Sequence, residues 1–313
     1  MGTIRTYIIM TIIMLFFGFN VPINKILVEN LPPLTITSLR VFTAGIIVFA
    51  MLGFMKKLRK PGIKEWAYII FGGLLYIVGH HFYLSTGLRE TTATNAGLIL
   101  GMGPLLTAIL STMLLGKIPT FIKGLGFLLG SVGVLFIVFS GDRGLSGFSI
   151  GDIYIFLSIL SQALSFIVIS KAAKTLDPRL LTGYMLVFGS IILFFISLWR
   201  EPGGLEGIFH APLYVWVAFF TSAVFSTAIG QMVYNSVIKK IGPAEASVFL
   251  NLSTFFSLVG SVMLLGETIQ MYHLVGLLFI VAGVLCGSGT IEELMQRPFQ
   301  RMNMSEQQEV RDE

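Results

Sequence analysis

Charged residues are scarce in this chain. Asp, Glu, Lys and Arg make up 12% of its 313 residues, against roughly 25% in an ordinary soluble domain. Hydrophobic residues reach 55%, and the mean hydropathy is +0.86. Such a chain cannot coat a water-facing surface of its own size, which excludes a cytosolic enzyme and a nucleic-acid binder. Cysteine is nearly absent too. Cys286 stands alone in an apolar stretch, so no internal disulfide and no cysteine metal cluster can form, and it reads as a packing residue. No Gly-Lys-Thr or Gly-Lys-Ser loop is present to cradle nucleotide phosphates, so ATP hydrolysis is excluded. No pair of mid-span aspartates is present for intramembrane hydrolysis. The basic isoelectric point, near 9.3, is then a property of loops at a membrane surface.

What is abundant is long apolar sequence. A spanning helix needs about 20 mostly apolar residues. Ten such runs fall near 7–28, 34–54, 65–87, 93–115, 121–140, 150–170, 180–199, 213–237, 244–265 and 271–289. They are too long and too little alternating for barrel strands, and helices are the remaining way to satisfy a backbone in lipid. The first run is followed by Asn24, Lys25 and Glu29 rather than a small-residue cleavage site, so it is read as a retained helix and not a secretory signal. With the N-terminus placed inside, sixteen Lys and Arg fall in inside segments and three, Arg89, Arg143 and Arg200, in outside loops. That asymmetry places both termini in the cytoplasm of a cell-membrane protein. From Thr290 the chain turns Glu-, Gln- and Arg-rich and reads as a solvated tail, 290–313.

The sequence also repeats itself. At an offset of 150, Ser111–Met113–Leu114–Leu115–Gly116 falls on Ser261–Met263–Leu264–Leu265–Gly266. Ala96 meets Ala246, Gly126 meets Gly276, and Gly133–Val134–Leu135 meets Gly283–Val284–Leu285. Farther upstream the register drifts: Asn24–Lys25 meets Ser170–Lys171 and Gly45 meets Gly189. Each half, 1–140 and 150–289, holds five runs. Five is odd, so the second copy must enter the membrane from the opposite side. The expected fold is all-α and integral to the membrane: ten transmembrane helices as two inverted five-helix repeats. Inverted repeats are the architecture of alternating-access transporters, with the substrate near the midplane between the halves.

Several short motifs then become specific. The second half carries Gly242–Pro243–Ala244–Glu245–Ala246, Leu264–Leu265–Gly266–Glu267–Thr268 and Ala282–Gly283–Val284–Leu285. The first half carries Thr94–Asn95–Ala96, Gly103–Pro104, Leu114–Leu115–Gly116–Lys117 and Gly133–Val134–Leu135, and Gly151–Asp152 opens the sixth run. Over about residues 5–289 the chain resembles the drug/metabolite transporter superfamily, in particular its EamA-type permeases. The resemblance implies export or exchange of small metabolites; no enzyme activity and no cofactor are expected. Lys117 departs from it, since the family usually places Glu after that Leu-Gly. If Glu267 makes a helix-end contact, the first half must do without it or reverse the charges.

Polar groups deep in apolar runs are costly unless they meet a partner or a wet cavity. His80, His81, Tyr83 and Ser85 cluster in the third run, and Gln231, Tyr234 and Asn235 in the eighth. The offset of 150 sets His81 on Gln231 and Ser85 on Asn235, each pair spaced i, i+4 on one helix face. Two equivalent polar faces are what a shared cavity requires; interhelical hydrogen bonding is the plainer reading. Asn20 and Asn24 repeat the spacing around Pro22, as substrate contacts or as glue between helices. Pro22 loosens its helix, and Pro104, after Gly101 and Gly103, marks a kink or flexible point. Gln162, Ser165, Asn251 and Thr254 read as structural. Arg40 reads first as a snorkelling side chain, with a pair to Glu29 or an attraction for an anionic substrate as alternatives. No metal site is expected at the adjacent histidines, because neighbours on a helix diverge by about 100° and no carboxylate completes the set. The same imidazoles are the candidate proton carriers, since they titrate near neutral pH. A membrane enzyme or sensor using His80 and His81 is the alternative function. The expected partners are a small-molecule substrate and the lipid bilayer, with a second copy of the chain admitted as a homodimer and no nucleic acid.

Overall fold

The computed structural model describes residues 3–114, 120–140 and 149–287. Lys117 and the tail 290–313 lie outside the described residues. Among them the secondary structure is entirely helical: α1 (Thr3–Asn30), α2 (Pro33–Phe54), α3 (Ile63–Gly73), α4 (His81–Glu90), α5 (Ala93–Leu100), α6 (Gly103–Leu114), α7 (Phe121–Ser140), α8 (Ile150–Ala172), α9 (Pro178–Arg200), α10 (Leu213–Thr221), α11 (Gln231–Ile241), α12 (Pro243–Val248), α13 (Leu250–Leu265) and α14 (Met271–Gly287). Two π-helical segments, Leu74–His80 and Ser222–Gly230, splice α3 to α4 and α10 to α11 into long continuous runs. Seven runs are long and apolar enough to cross a bilayer: Ile8–Asn30, Pro33–Phe54, Ile63–Glu90, Ala93–Leu114, Ile150–Ala172, Pro178–Arg200 and Leu213–Lys240. The apolar stretches Gly124–Gly133, Leu250–Leu265 and Met271–Cys286 are shorter. They fall on the fifth, ninth and tenth expected spans. The chain is an integral membrane protein.

Local chemistry explains where the helices start and stop. Pro33 and Pro178 open α2 and α9, at positions whose N–H would lack an intrahelical acceptor in any case. Ser149 and Asp177 cap α8 and α9 with side-chain oxygens, and Thr92 does so for α5. Gly266 ends α13 at φ +65°, a left-handed conformation that glycine adopts without a Cβ clash. Gly101 and Met102 interrupt the fourth expected span, and Gly103–Pro104 restart it as α6. Pro22 instead lies inside an unbroken α1, whose neighbour α13 approaches it at Gly260.

Helices pack pairwise across the molecule. α2 lies along α9, α1 along α13, and α7 along α14. The α7–α14 seam is lined by small residues: a Cβ on Gly283 would collide with the backbone of Gly126 and Gly130, and one on Gly133 would meet the carbonyl of Gly276. Backbones that close gain packing and weak contacts that larger side chains forbid. The outward surface carries large bare apolar groups such as Phe54, Phe121, Trp199, Phe209 and Leu213. A soluble protein could not tolerate that band; lipid accommodates it.

Candidate functional site: a central polar cavity

α1, α5, α8, α13 and the two π-containing runs surround a central cavity of about 90 Å³. Asn20 and Asn24 enter from α1, Tyr76, His80 and His81 from the first π run, Gln162 from α8, and Ser226, Thr227 and Gln231 from the second. Phe17, Phe166, Leu84, Leu100 and Leu250 supply apolar wall. None of the lining residues is Asp, Glu, Lys or Arg. His81 and Gln231 are the first residues of the α-helices that follow the two π segments, so the same backbone device delivers both. π segments interrupt the regular α ladder and are frequent at functional sites. Although adjacent helical residues diverge by about 100°, the rings of His80 and His81 lie 4.9 Å apart and both face the cavity.

The lining divides into paired and unpaired groups. His80 Nδ1 lies 2.7 Å from Ser158 Oγ, its Nε2 lies 3.3 Å from Gln162 Nε2, and its ring stacks on Tyr76. Ser222 Oγ donates to Asn20 Oδ1. By contrast both ring nitrogens of His81, Asn24 Nδ2 and Ser257 Oγ are buried with no hydrogen-bond partner among the described residues. Buried polar groups in folded proteins are nearly always paired. Several orphans around one cavity therefore mark groups held ready for a ligand or for water.

The remaining candidates stand apart from this lining. Tyr83 stacks on Tyr154 near the start of α8, and Ser85 donates back to the carbonyl of His81. Asn235 donates to Thr182 Oγ1 and accepts from Gln231, tying α11 to α9. Tyr234 sits behind the wall against Phe17 and Phe166 with its hydroxyl unpaired. Pro104 lies at the start of α6, beside the helix break at Gly101 and Met102 rather than in the cavity. Thr254 and Gln162, read from the sequence as structural, do line it, whereas Asn251 faces a separate outer groove. No set of three His, Cys, Asp or Glu residues is placed to hold a metal among the described residues.

Arg40 is a clear correction. It neither snorkels nor pairs with Glu29, which instead takes Lys25 at 3.1 Å. Arg40 is 1% exposed, and its Nη1 donates to Ser222 Oγ and Thr227 Oγ1 at 2.8 and 2.7 Å. Sequence reading missed this because distance from a span end does not reveal which way a side chain turns about the helix axis.

Two larger openings flank the centre. One, of about 750 Å³, lies among Lys25, Arg89, Glu90, Asp152, Glu267 and His273. Here polar groups are paired. Glu267 Oε1 and Oε2 accept from the backbone N–H of Ala93 and Thr94 at 2.9 and 2.8 Å, and Oε2 also takes the Thr94 hydroxyl. This is a helix-end contact: a carboxylate on the free N–H groups and positive dipole end of α5. Glu201 makes the same contact with Leu34 and Thr35 at the start of α2. His273 Nδ1 accepts from Gln270 N, which leaves Nε2 to donate to Asn95 Oδ1 at 3.1 Å. The second opening, of about 500 Å³, lies at the other end of the helices, and its described lining includes Lys171, Lys174 and Lys239 and no carboxylate.

A helical membrane protein with a polar chamber between mouths at its two ends belongs to the class of membrane transporters. The chain belongs to the EamA-like transporter family, of the drug/metabolite transporter superfamily: the family model matches residues 4–139 and again 149–288. It is 29% identical over 300 residues to the uncharacterized transporter YyaM of Bacillus subtilis, covering 93% of this chain and 96% of that one. It is 24% identical over 283 residues to the chloroplastic WAT1-related protein At3g02690 of Arabidopsis thaliana, covering 88% of this chain and 67% of that one. A solved crystal structure of a protein only 16% identical superposes with a TM-score of 0.65, covering 91% of this chain and 97% of that chain, which shows a shared fold.

Proposed function

We propose that this protein is a secondary-active or facilitative transporter that exports small metabolites, amino acids or similar amphipathic solutes, by alternating access. In this reading its ten transmembrane helices form two inverted repeats, 1–140 and 150–289, with both termini and the 290–313 tail in the cytoplasm. The observation that carries the proposal is the central cavity with its unpaired His81, Asn24 and Ser257. The two family matches, one per half, support the duplication. So do the two π segments, which end one residue before His81 and Gln231, positions 150 apart. The pairs α2–α9 and α7–α14 bring corresponding helices of the halves together, as a two-fold relation requires. Mixed apolar and uncharged polar walls suit an amphipathic solute. The enzyme or sensor alternative gains nothing here: His80 is bonded to Ser158, and no carboxylate lines the cavity.

The test is solute flux in proteoliposomes loaded with a panel of amino acids and small metabolites. Wild-type protein releases at least one of them, and His81→Ala and Gln231→Ala lose that flux while eluting as monodisperse, folded protein. A wild-type protein that moves nothing in the panel, or variants with undiminished flux, would overturn the proposal.

A further inference from the structure

A full positive charge lies buried beside the cavity with no negative partner among the described residues. Arg40 is among the largest fully buried side chains. Among the described residues its hydrogen bonds run from Nη1 to the neutral hydroxyls of Ser222 and Thr227, and Nε has no partner. Both hydroxyls lead to the lining: Thr227 is part of it, and Ser222 donates to Asn20, which is also part of it. Of the described carboxylates, Glu29 is bound to Lys25, Glu65 to Arg59, Asp152 to Thr91, Asp177 to Arg179, and Glu201 and Glu267 to helix starts, while Glu90 and Glu206 are exposed. Removing a charge from water without a counter-charge is among the most expensive arrangements in a membrane. The neutral hydroxyls fix the guanidinium in place but do not neutralise it.

We infer that Arg40 is the substrate-recognition residue of the cavity and that the transported solute carries a single carboxylate, which completes the ion pair. This rests on the transporter reading above and names its substrate class. Nε is half of the side-on fork with which guanidinium grips a carboxylate in two parallel bonds. The charge count favours a monoanion: one buried cation stands behind a lining that holds no Lys or Arg of its own, so a phosphate dianion would enter with a charge uncompensated. The approach is also charged. Lys171, Lys174 and Lys239 line the opening at one end with no carboxylate among its described lining residues, an arrangement that gathers anions. At the opposite opening Lys25 and Arg89 are mixed with Glu29, Glu90, Asp152 and Glu267. An anion is therefore drawn in at the lysine end and held at Arg40, while the mixed mouth gives it no comparable pull.

The experiment uses the full chain and a matched panel of amino acids and short aliphatic and aromatic monocarboxylates, each with its primary amide. Thermal stabilisation of the detergent-solubilised wild type is read first. Carboxylates raise the melting temperature and their amides do not, with apparent affinities differing on the order of tenfold to a hundredfold. In proteoliposomes Arg40→Gln removes that preference, while Arg40→Lys, which keeps the charge but not the fork, retains part of it. If the wild type transports solutes but treats acids and amides alike, the inference fails and the transporter reading stands. Better stabilisation by matched phosphate monoesters than by carboxylates also overturns it. If nothing in either series is bound or moved, the transporter reading fails first. The wild-type comparison decides the matter even if Arg40→Gln does not fold.

Discussion

The centre of the protein and its Glu267 end treat polar groups in opposite ways. At the end, nearly every polar side chain is closed into a contact: Glu267 on α5, His273 on Asn95, Asp152 on Thr91, Lys25 on the carbonyl of Leu88. At the centre, His81, Asn24, Ser257 and the Nε of Arg40 are buried and left open. Polar residues that finish their bonds inside the protein build the architecture. Those that do not are kept for something that comes and goes. Mutations at the two places should therefore behave oppositely, one set lowering stability and the other lowering function.

The largest effect is expected where neither kind of polar chemistry operates, in the glycine seam of α7 and α14. Gly283→Leu places a side chain against the backbone of Gly126 and Gly130. It should cost about 3 kcal/mol through overpacking, seen as loss of the monodisperse peak and a lower melting temperature. Next come the glutamate contacts. Glu267→Ala leaves two backbone N–H groups and the Thr94 hydroxyl without their acceptor, for a loss of about 2 kcal/mol. Glu201→Ala should match it at the start of α2, because the bonding pattern is the same. A melting temperature unchanged by either variant would break the contrast on its structural side. Asn24→Leu should do the reverse. It removes an unpaired buried donor, so stability holds or rises by about 1 kcal/mol while flux is lost. Stability and flux falling together there would show Asn24 to be a packing group.

The smallest effect is a pH dependence far from the cavity. Asp177 caps α9 and is bound by Arg179, whose side chain holds the carboxyl below its ordinary value. A carboxyl lowered in the folded state contributes stability that is complete above its unfolded pKa, about 3.9. That contribution is lost as pH falls through the lower folded value. The pair is partly exposed, so the gain is limited to roughly 0.5 kcal/mol. Subtracting the melting curve of Asp177→Asn from that of the wild type should give a difference that shrinks only at acid pH.

The contrast between centre and end was only half legible in the sequence. Asn20, Asn24, His80, His81 and Gln231 stood out because a large polar group in an apolar run has few inexpensive explanations. Ser253 and Ser257 did not, since a hydroxyl can bond its own helix at little cost and so carries no signal by itself. Tyr83, Ser85 and Asn235 shared the right helices and periodicity, yet spacing defines a face without saying what opposes it; theirs meet Tyr154, their own backbone and Thr182. The glycines at 101 and 103 announced the break before α6. The π segments had no such marker, because their sequences read as ordinary helix. Glu201 was invisible as a cap, its partners lying 166 and 167 residues away. Arg40 shows the same limit most sharply, for its depth was readable and its direction was not.

The central claim is that one chamber serves both sides of the membrane, and it can be tested without knowing the solute. Ser253 lines the cavity and bonds only to its own helix, so Ser253→Cys is a near-isosteric probe once Cys286 is replaced by serine. A small membrane-impermeant thiol reagent is then added to one face of reconstituted vesicles or the other. Labelling of position 253 from either face is the predicted result; labelling from a single face, or from neither, would contradict alternating access to this cavity.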